Sequence, residues 1–246
     1  MKGFAGLCSA LFATGAVATS VLAAPISYQP TEAESEDVFI YQFISSYNTP
    51  PFNLPTGALN SDGYGQMLPT LVTGTGHDIR SLIRFDLDAA GITLAPDERA
   101  YLRLYVGDIG ASGFGANPDP SASTNPTVSF YLNTSPFNEN ETTWSTRPST
   151  EVTPIASVVI DDIYKWISVD ITDAVQFWLD NPSSNFGLTI MQDALVTREG
   201  AGKVGVMFES SATENGPILA VVPEPSSAAI IGITMLAAAT RRRRVR

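Results

Sequence analysis

Between Asp37 and Val222 the chain is cut into nine short segments rich in β-branched and aromatic residues. They are Asp37–Phe43, Ser81–Leu87, Ala100–Val106, Thr127–Asn133, Ala156–Ile160, Lys165–Ile171, Phe186–Met191, Lys203–Ser210 and Ile218–Val222, bounded by Gly, Pro, Asn or Asp. Segments of five to eight residues closed off in this way read as strands. In SLIRFDL, Leu82, Arg84 and Asp86 fall on one face and Ser81, Ile83, Phe85 and Leu87 on the other, the period of a half-buried strand. In AYLRLYV the face of Leu102, Leu104 and Val106 is wholly apolar. So many short strands in one domain predict an all-β fold, a single antiparallel sandwich.

One stretch departs from this period. DITDAVQFWLDNPSS, Asp170–Ser184, places Ile171, Ala174, Val175, Trp178 and Leu179 at helical spacing. Asp170 or Thr172 caps it and Pro182 stops it, which predicts a short helix plugging one end of the sandwich. Asn48–Gln66 and Gly107–Asn125 are long loops rich in Pro, Gly, Asn and Ser, a length at which loops tend to carry function.

The two ends read differently from the body. Residues 1–23 have the form of a secretory signal: Lys2, an apolar and small-residue run, and Val21-Leu22-Ala23 as the cleavage site. The one cysteine, Cys8, lies inside that signal, so the mature chain has no disulfide and is held by its core alone. Lys2 and five arginines of the last segment take up six of the 14 basic residues, leaving a body with 8 basic against 24 acidic residues. Such a surface repels nucleic acid and anionic lipid and suits a soluble extracellular life.

The last residues run Val222-Pro223-Glu224-Pro225, an apolar stretch over Ser226–Thr240, then Arg241, Arg242, Arg243 and Arg244. As a helix the 15-residue stretch spans roughly 22 Å, short of a hydrocarbon core of about 30 Å unless arginines snorkel and the bilayer thins. The arginines stay on the cytoplasmic side and the body faces outward. This arrangement resembles the PEP-CTERM sorting signal. The resemblance implies an exosortase as partner, cleavage near the Pro-Glu-Pro, membrane contact through the C-terminal helix only before cleavage, and delivery by the Sec route to the cell surface or an exopolysaccharide matrix. The organisation expected is therefore a signal peptide (1–23), a lead-in (24–36), a sandwich (37–222) and a sorting signal (223–246).

Four motifs in the body carry a second resemblance. They are RSLIRFDL (Arg80–Leu87) followed by AYLRLYV, ENETTWSTRP (Glu139–Pro148), KWISVDITDAVQFWLDNPSSNFGLTIM (Lys165–Met191) and VMFESSATENGPILAVV (Val206–Val222). In this order they resemble the DNRLRE family of extracellular β-sandwich modules, related to carbohydrate-binding modules. Phe137 stands where that family has a tryptophan. The resemblance implies a jelly-roll-type sandwich and a polysaccharide-binding or structural role without catalysis.

Glycan sites stack sugar rings on exposed aromatics and add polar side chains. Loop aromatics are the candidates here, Tyr47, Phe52, Tyr64 and Phe114, with Arg147 for an anionic sugar. Arg80 and Arg99 are further cations for that purpose, whereas Trp144, Trp166 and Trp178 read as core. No cofactor is required. Calcium is a possible structural ion, with Asp37, Asp108 and Asp119 as its candidates, although no EF-hand pattern is present. The lone His77 and the missing Gly-x-Ser-x-Gly elbow argue against a serine hydrolase, and one His without Cys makes no zinc site. A lyase or glycosidase built on paired carboxylates, and a protein-binding adhesin, stay open as alternatives.

Overall fold

A computed structural model describes residues 25–30, 35–41, 67–72, 78–109, 115–139 and 141–224. These fall within one unit, Ala24–Glu224. Among the described residues the fold is mostly β, with one α-helix, and every strand pairing is antiparallel.

The longest strand is β5 (Glu98–Val106). One of its edges pairs with β8 (Lys165–Asp170) in the register Leu102↔Val169 and Leu104↔Ile167. Along the other edge lie β13 (Ile218–Pro223) and, at Val106, β12 (Val206–Glu209). β1 (Ile26–Tyr28) adds to β13, with Ile26 opposite Val221. The second layer centres on β4 (Asp78–Phe85), flanked by β2 (Ser35–Tyr41) and β9 (Leu188–Gln192), and continues through β6 (Thr127–Leu132) to β7 (Ala156–Val159). β3 (Met67–Val72) joins the two layers: its first four residues pair with β12 and its last two with β4.

The arrangement is sandwich-like, and strand alternation fills it. Leu102, Leu104 and Val106 of β5 and Ile167 and Val169 of β8 share one buried cluster with Ile83 and Phe85 of β4, Phe130 of β6 and Ile190 of β9. Each such side chain contributes roughly 1.5–3 kcal/mol when fully withdrawn from water. The expected helix is α1 (Thr172–Asp180), and its Ala174, Val175 and Trp178 join the same cluster. The N-cap position falls on Ile171, which has no side-chain cap, rather than on Asp170 or Thr172; Asp170 Oδ1 accepts from Thr172 N at 2.9 Å just beside it, and the helix gives way at Asn181 to a 3-10 turn begun by Pro182.

Several expectations need correction. Lys203–Ser210 is two strands, β11 (Gly202–Val204) and β12, because the chain breaks at Gly205. A Cβ on Gly205 would sit 2.7 Å from Ile109 Cδ1 and 3.1 Å from Leu71 Cδ1, so a larger residue there would require those side-chain ends to shift. β11 pairs with a strand the sequence did not reveal, β10 (Val196–Arg198). β1 lies in the supposed lead-in, and β3 was hidden by its internal Pro69, which lowers strand expectation. β4 is buried on both faces: Leu82 packs with Val38, Ile40, Phe137 and Trp144 in a second cluster outside the inter-layer core. Arg84 pairs with Glu36 at 2.8 Å, and Asp86 Oδ1 accepts from the Asp88 and Ala89 amides. The body also runs beyond Val222, since Pro223 completes β13 opposite Glu98.

Two substitutions probe this framework by urea unfolding of residues 24–224. Gly187 has φ +74°, and a Cβ there would collide with the Ile83 carbonyl oxygen, so Gly187→Ala should cost at least ~2 kcal/mol. Trp144→Ala empties the second cluster and should cost about 3–5 kcal/mol. A loss under about 1 kcal/mol at either position would contradict the packing described.

Candidate functional site

Odd-numbered residues of β4 face the inter-layer core, so Asp78, Arg80 and Arg84 lie on the outer face of the second layer. Tyr131 lies opposite Thr189, and Thr189 opposite Leu82, which puts Tyr131 on that outer face too. The segment from Asn133 to Thr150 folds across it. Asn133 N donates to the Gly187 carbonyl, Thr134 N to Ser149 O, and Ser149 N to Ser135 Oγ. Within it Asn138 and Thr142 exchange backbone and hydroxyl bonds, with Asn138 N to Thr142 Oγ1 at 2.9 Å. These bonds carry Phe137 and Trp144 down onto Leu82 and leave the following turn exposed.

Trp144 is 8% exposed, and two cations stack on its ring. The guanidinium carbon of Arg147 lies 4.6 Å from the ring centroid and that of Arg80 4.8 Å. Arg147 also donates to the Trp144 carbonyl at 2.6 Å, which fixes its stem. Among the described residues neither arginine is in an ion pair. Burial and the neighbouring Arg147 charge hold the Arg80 guanidinium below its usual range, partly offset by Asp78 and Tyr131. An anion set against the pair would relieve that repulsion.

Arg80 is shared by two adjoining cavities. One, of 350 Å³, is lined by Arg80, Ser145, Arg147, Ser149 and Thr150. The other, of 280 Å³, is lined by Arg80, Asp78, Tyr131, Met191 and Asp193. Together they form a polar groove with guanidinium donors and hydroxyls at one end, and carboxylate acceptors and a tyrosine at the other. This equipment suits a sugar chain: donors for carboxylates, acceptors for hydroxyls, and a ring for stacking. A third cavity, of 270 Å³, lies beside α1, lined among others by Arg84, Asp86, Asp88, Trp178 and Asn185.

Of the cations expected from sequence, Arg147 and Arg80 are in the groove, whereas Arg99 pairs with Glu224 and Asp170 away from it. Tyr47, Phe52, Tyr64 and Phe114 lie outside the described residues, as do His77, Pro225 and Arg241–Arg244. The calcium candidates are engaged separately. Asp37, largely buried, accepts from Ser211 N and Oγ at 2.6 and 2.9 Å. Asp108 accepts from Asn117 Nδ2 and from the Tyr164 hydroxyl. Asp119 accepts from Ser121 N and Oγ, which lowers its carboxyl from the usual range. Among the described residues no three His, Cys, Asp or Glu side chains group to hold a metal, and no helix is long and apolar enough to cross a membrane. Trp178 is core as expected, Trp144 is both core and the floor for two cations, and Trp166, expected in the core, is half-buried on the outer face of β8 because Ile167 and Val169 take the inward positions. Tyr131 was missed; the alternation of TVSFYL, with Val128 and Phe130 inward, was the signal that could have found it.

The family model of carbohydrate-binding module family 96 matches residues 57–222. The match takes in Arg80, Tyr131, Trp144 and Arg147 and agrees with the module-like resemblance of the four body motifs. No curated protein matches the chain. With about two thirds of its length covered by this one model, the chain belongs to carbohydrate-binding module family 96.

Proposed function

We propose that the body binds an acidic polysaccharide in the Arg80–Trp144–Arg147 groove, as a non-catalytic, jelly-roll-type module of an exported protein. The observation that carries this reading is the pair of guanidiniums stacked on one indole without an ion pair, in a body with a threefold excess of acidic residues. An arginine left unpaired among so many carboxylates is available for a ligand's carboxylates. Modules of this family are typically non-catalytic, and the reading requires no cofactor; calcium enters at most as a structural ion.

The tail supports the second half of the proposal: an exosortase recognises Val222–Arg246, cleaves near the Pro-Glu-Pro, and leaves the body at the cell surface or in the exopolysaccharide matrix. The apolar stretch and the arginine cluster act as a temporary membrane handle.

Affinity electrophoresis of residues 24–224 through gels of the producer's exopolysaccharide, polygalacturonate and a neutral glucan tests the binding. Retardation is expected in the acidic gels, and it should weaken as salt rises. Arg80→Ala and Arg147→Ala should each weaken binding about tenfold, while Arg147→Ala, at an exposed position, leaves the unfolding midpoint close to that of the parent. Retardation only in the neutral gel, or shortening of the polymer, would overturn the reading. For the tail, mass spectrometry of the protein from the producing cell should find a C-terminus near Pro225. Recovery of intact Arg246 on the surface-exposed protein would sink the sorting proposal.

A further inference from the structure

The eight basic residues of the body divide unevenly. Arg84, Arg99, Lys165 and Arg198 are in ion pairs. Three of the other four stack on tryptophan: Arg80 and Arg147 on Trp144, and Arg103 on Trp166, with the Arg103 guanidinium carbon 5.0 Å from the ring centroid. The second stack is on the opposite side of the molecule from the groove. Leu102, Leu104 and Val106 of β5 and Ile167 and Val169 of β8 point into the inter-layer core, so Arg103, Tyr105 and Trp166 point out of the first layer. Tyr105 lies opposite Trp166, and their rings meet edge to face at 5.4 Å.

Tyr164 borders this patch just before β8. It is 61% exposed, and among the described residues it is the one non-glycine with positive φ, at +58°. A turn of that conformation is ordinarily given to Gly or Asn. Here Tyr164 is held in place by its amide, which donates to Val106 O at 2.7 Å, and by its hydroxyl, which donates to Asp108 Oδ2 at 3.0 Å. The core gains nothing from so exposed a ring.

We propose that Arg103, Tyr105, Tyr164 and Trp166, with Asp108, form a second polysaccharide-binding surface, so that one module joins two stretches of acidic polysaccharide. The occupant follows from the chemistry. The aromatic rings take pyranose faces and Arg103 takes a carboxylate, while Asp108 holds the Tyr164 ring in place. Among the described residues Arg103 is in no ion pair, so its donors are open to a ligand carboxylate here as those of Arg80 and Arg147 are in the groove. The inference rests on the acidic-polysaccharide reading of that groove and adds a second site to it.

Titration calorimetry of residues 24–224 with trigalacturonate, too short to reach both faces, tests the proposal. Two molecules should bind the parent protein. Tyr164→Asn, which suits the positive φ and so preserves the turn, should weaken one of the two events about tenfold and leave the other unchanged. Arg103→Ala should do the same, and Arg147→Ala should weaken the opposite event about tenfold. With polymeric polygalacturonate, light scattering should rise sharply for the parent protein and little for any of these variants. A single event weakened by Arg147→Ala and untouched by Tyr164→Asn and Arg103→Ala would overturn the second surface and leave the groove standing. No binding by the parent protein to trigalacturonate or to the polymer would overturn both.

Discussion

The inward row of β5, formed by Ala100, Leu102, Leu104 and Val106, is the contact on which the rest of the molecule is built. All four are fully buried, and β5 pairs with three other strands. A body without cysteine has no covalent staple, so this apolar row and the strands packed on it carry the stability that small exported domains often draw from disulfides. The same row fixes what faces outward. Alternation leaves no choice about where Tyr101, Arg103 and Tyr105 point once their neighbours are buried. On the other layer, Ile83 and Phe85 of β4 do the same for Arg80 and Arg84.

Both outer faces solve one electrostatic problem in the same way. A strongly acidic surface attracts every arginine toward a carboxylate, and exposed pairs of that kind contribute little, roughly 0–1 kcal/mol. Stacking an arginine on tryptophan holds its plane and leaves donors facing outward, even where one of them, as in Arg147, is used on the Trp144 carbonyl. At Trp144 the indole is itself anchored in a second small core of Val38, Ile40, Leu82 and Phe137. Although Trp144 and Arg147 lie in the connection between β6 and β7, the cations are thus presented from a buried base. Polar contacts of a sugar site gain from that rigidity because less freedom is lost when the ligand arrives.

Much of the fold was legible in the sequence, for identifiable reasons. Strands with clean alternation, such as AYLRLYV, and the helical spacing of Ala174, Val175 and Trp178 give strong local periods. The failures came where tertiary contact overrides the local signal. Pro69 hid β3, whose pairing with both layers no local pattern encodes. Gly205 interrupts an apparently continuous strand, with the ends of Ile109 and Leu71 packed against it. The site was half legible. Arg147 was a candidate from charge alone, but Trp144 was assigned to the core, and nothing local tells that a buried indole also floors a groove. Loop aromatics such as Tyr64 and Phe114 drew attention because loops bury little, whereas the aromatics beside the stacked arginines, Tyr131 and Tyr105, sit on strands.

The end of the body is tied down in a way that matters for how force would pass through it. Glu224 N donates to Asp97 O at 2.7 Å, and its carboxylate meets Arg99 at 2.5 Å, just after Pro223 pairs with Glu98. A pull applied at Glu224 therefore runs along the axis of β13. Six residue pairs with β5 lie along that axis and resist together, as a lap joint does, instead of parting one by one like a zipper. β1 grips the other edge of the same strand. A load on Glu224 would therefore pass first into the β13–β5 pair, whose inward residues Leu102 and Leu219 are fully buried.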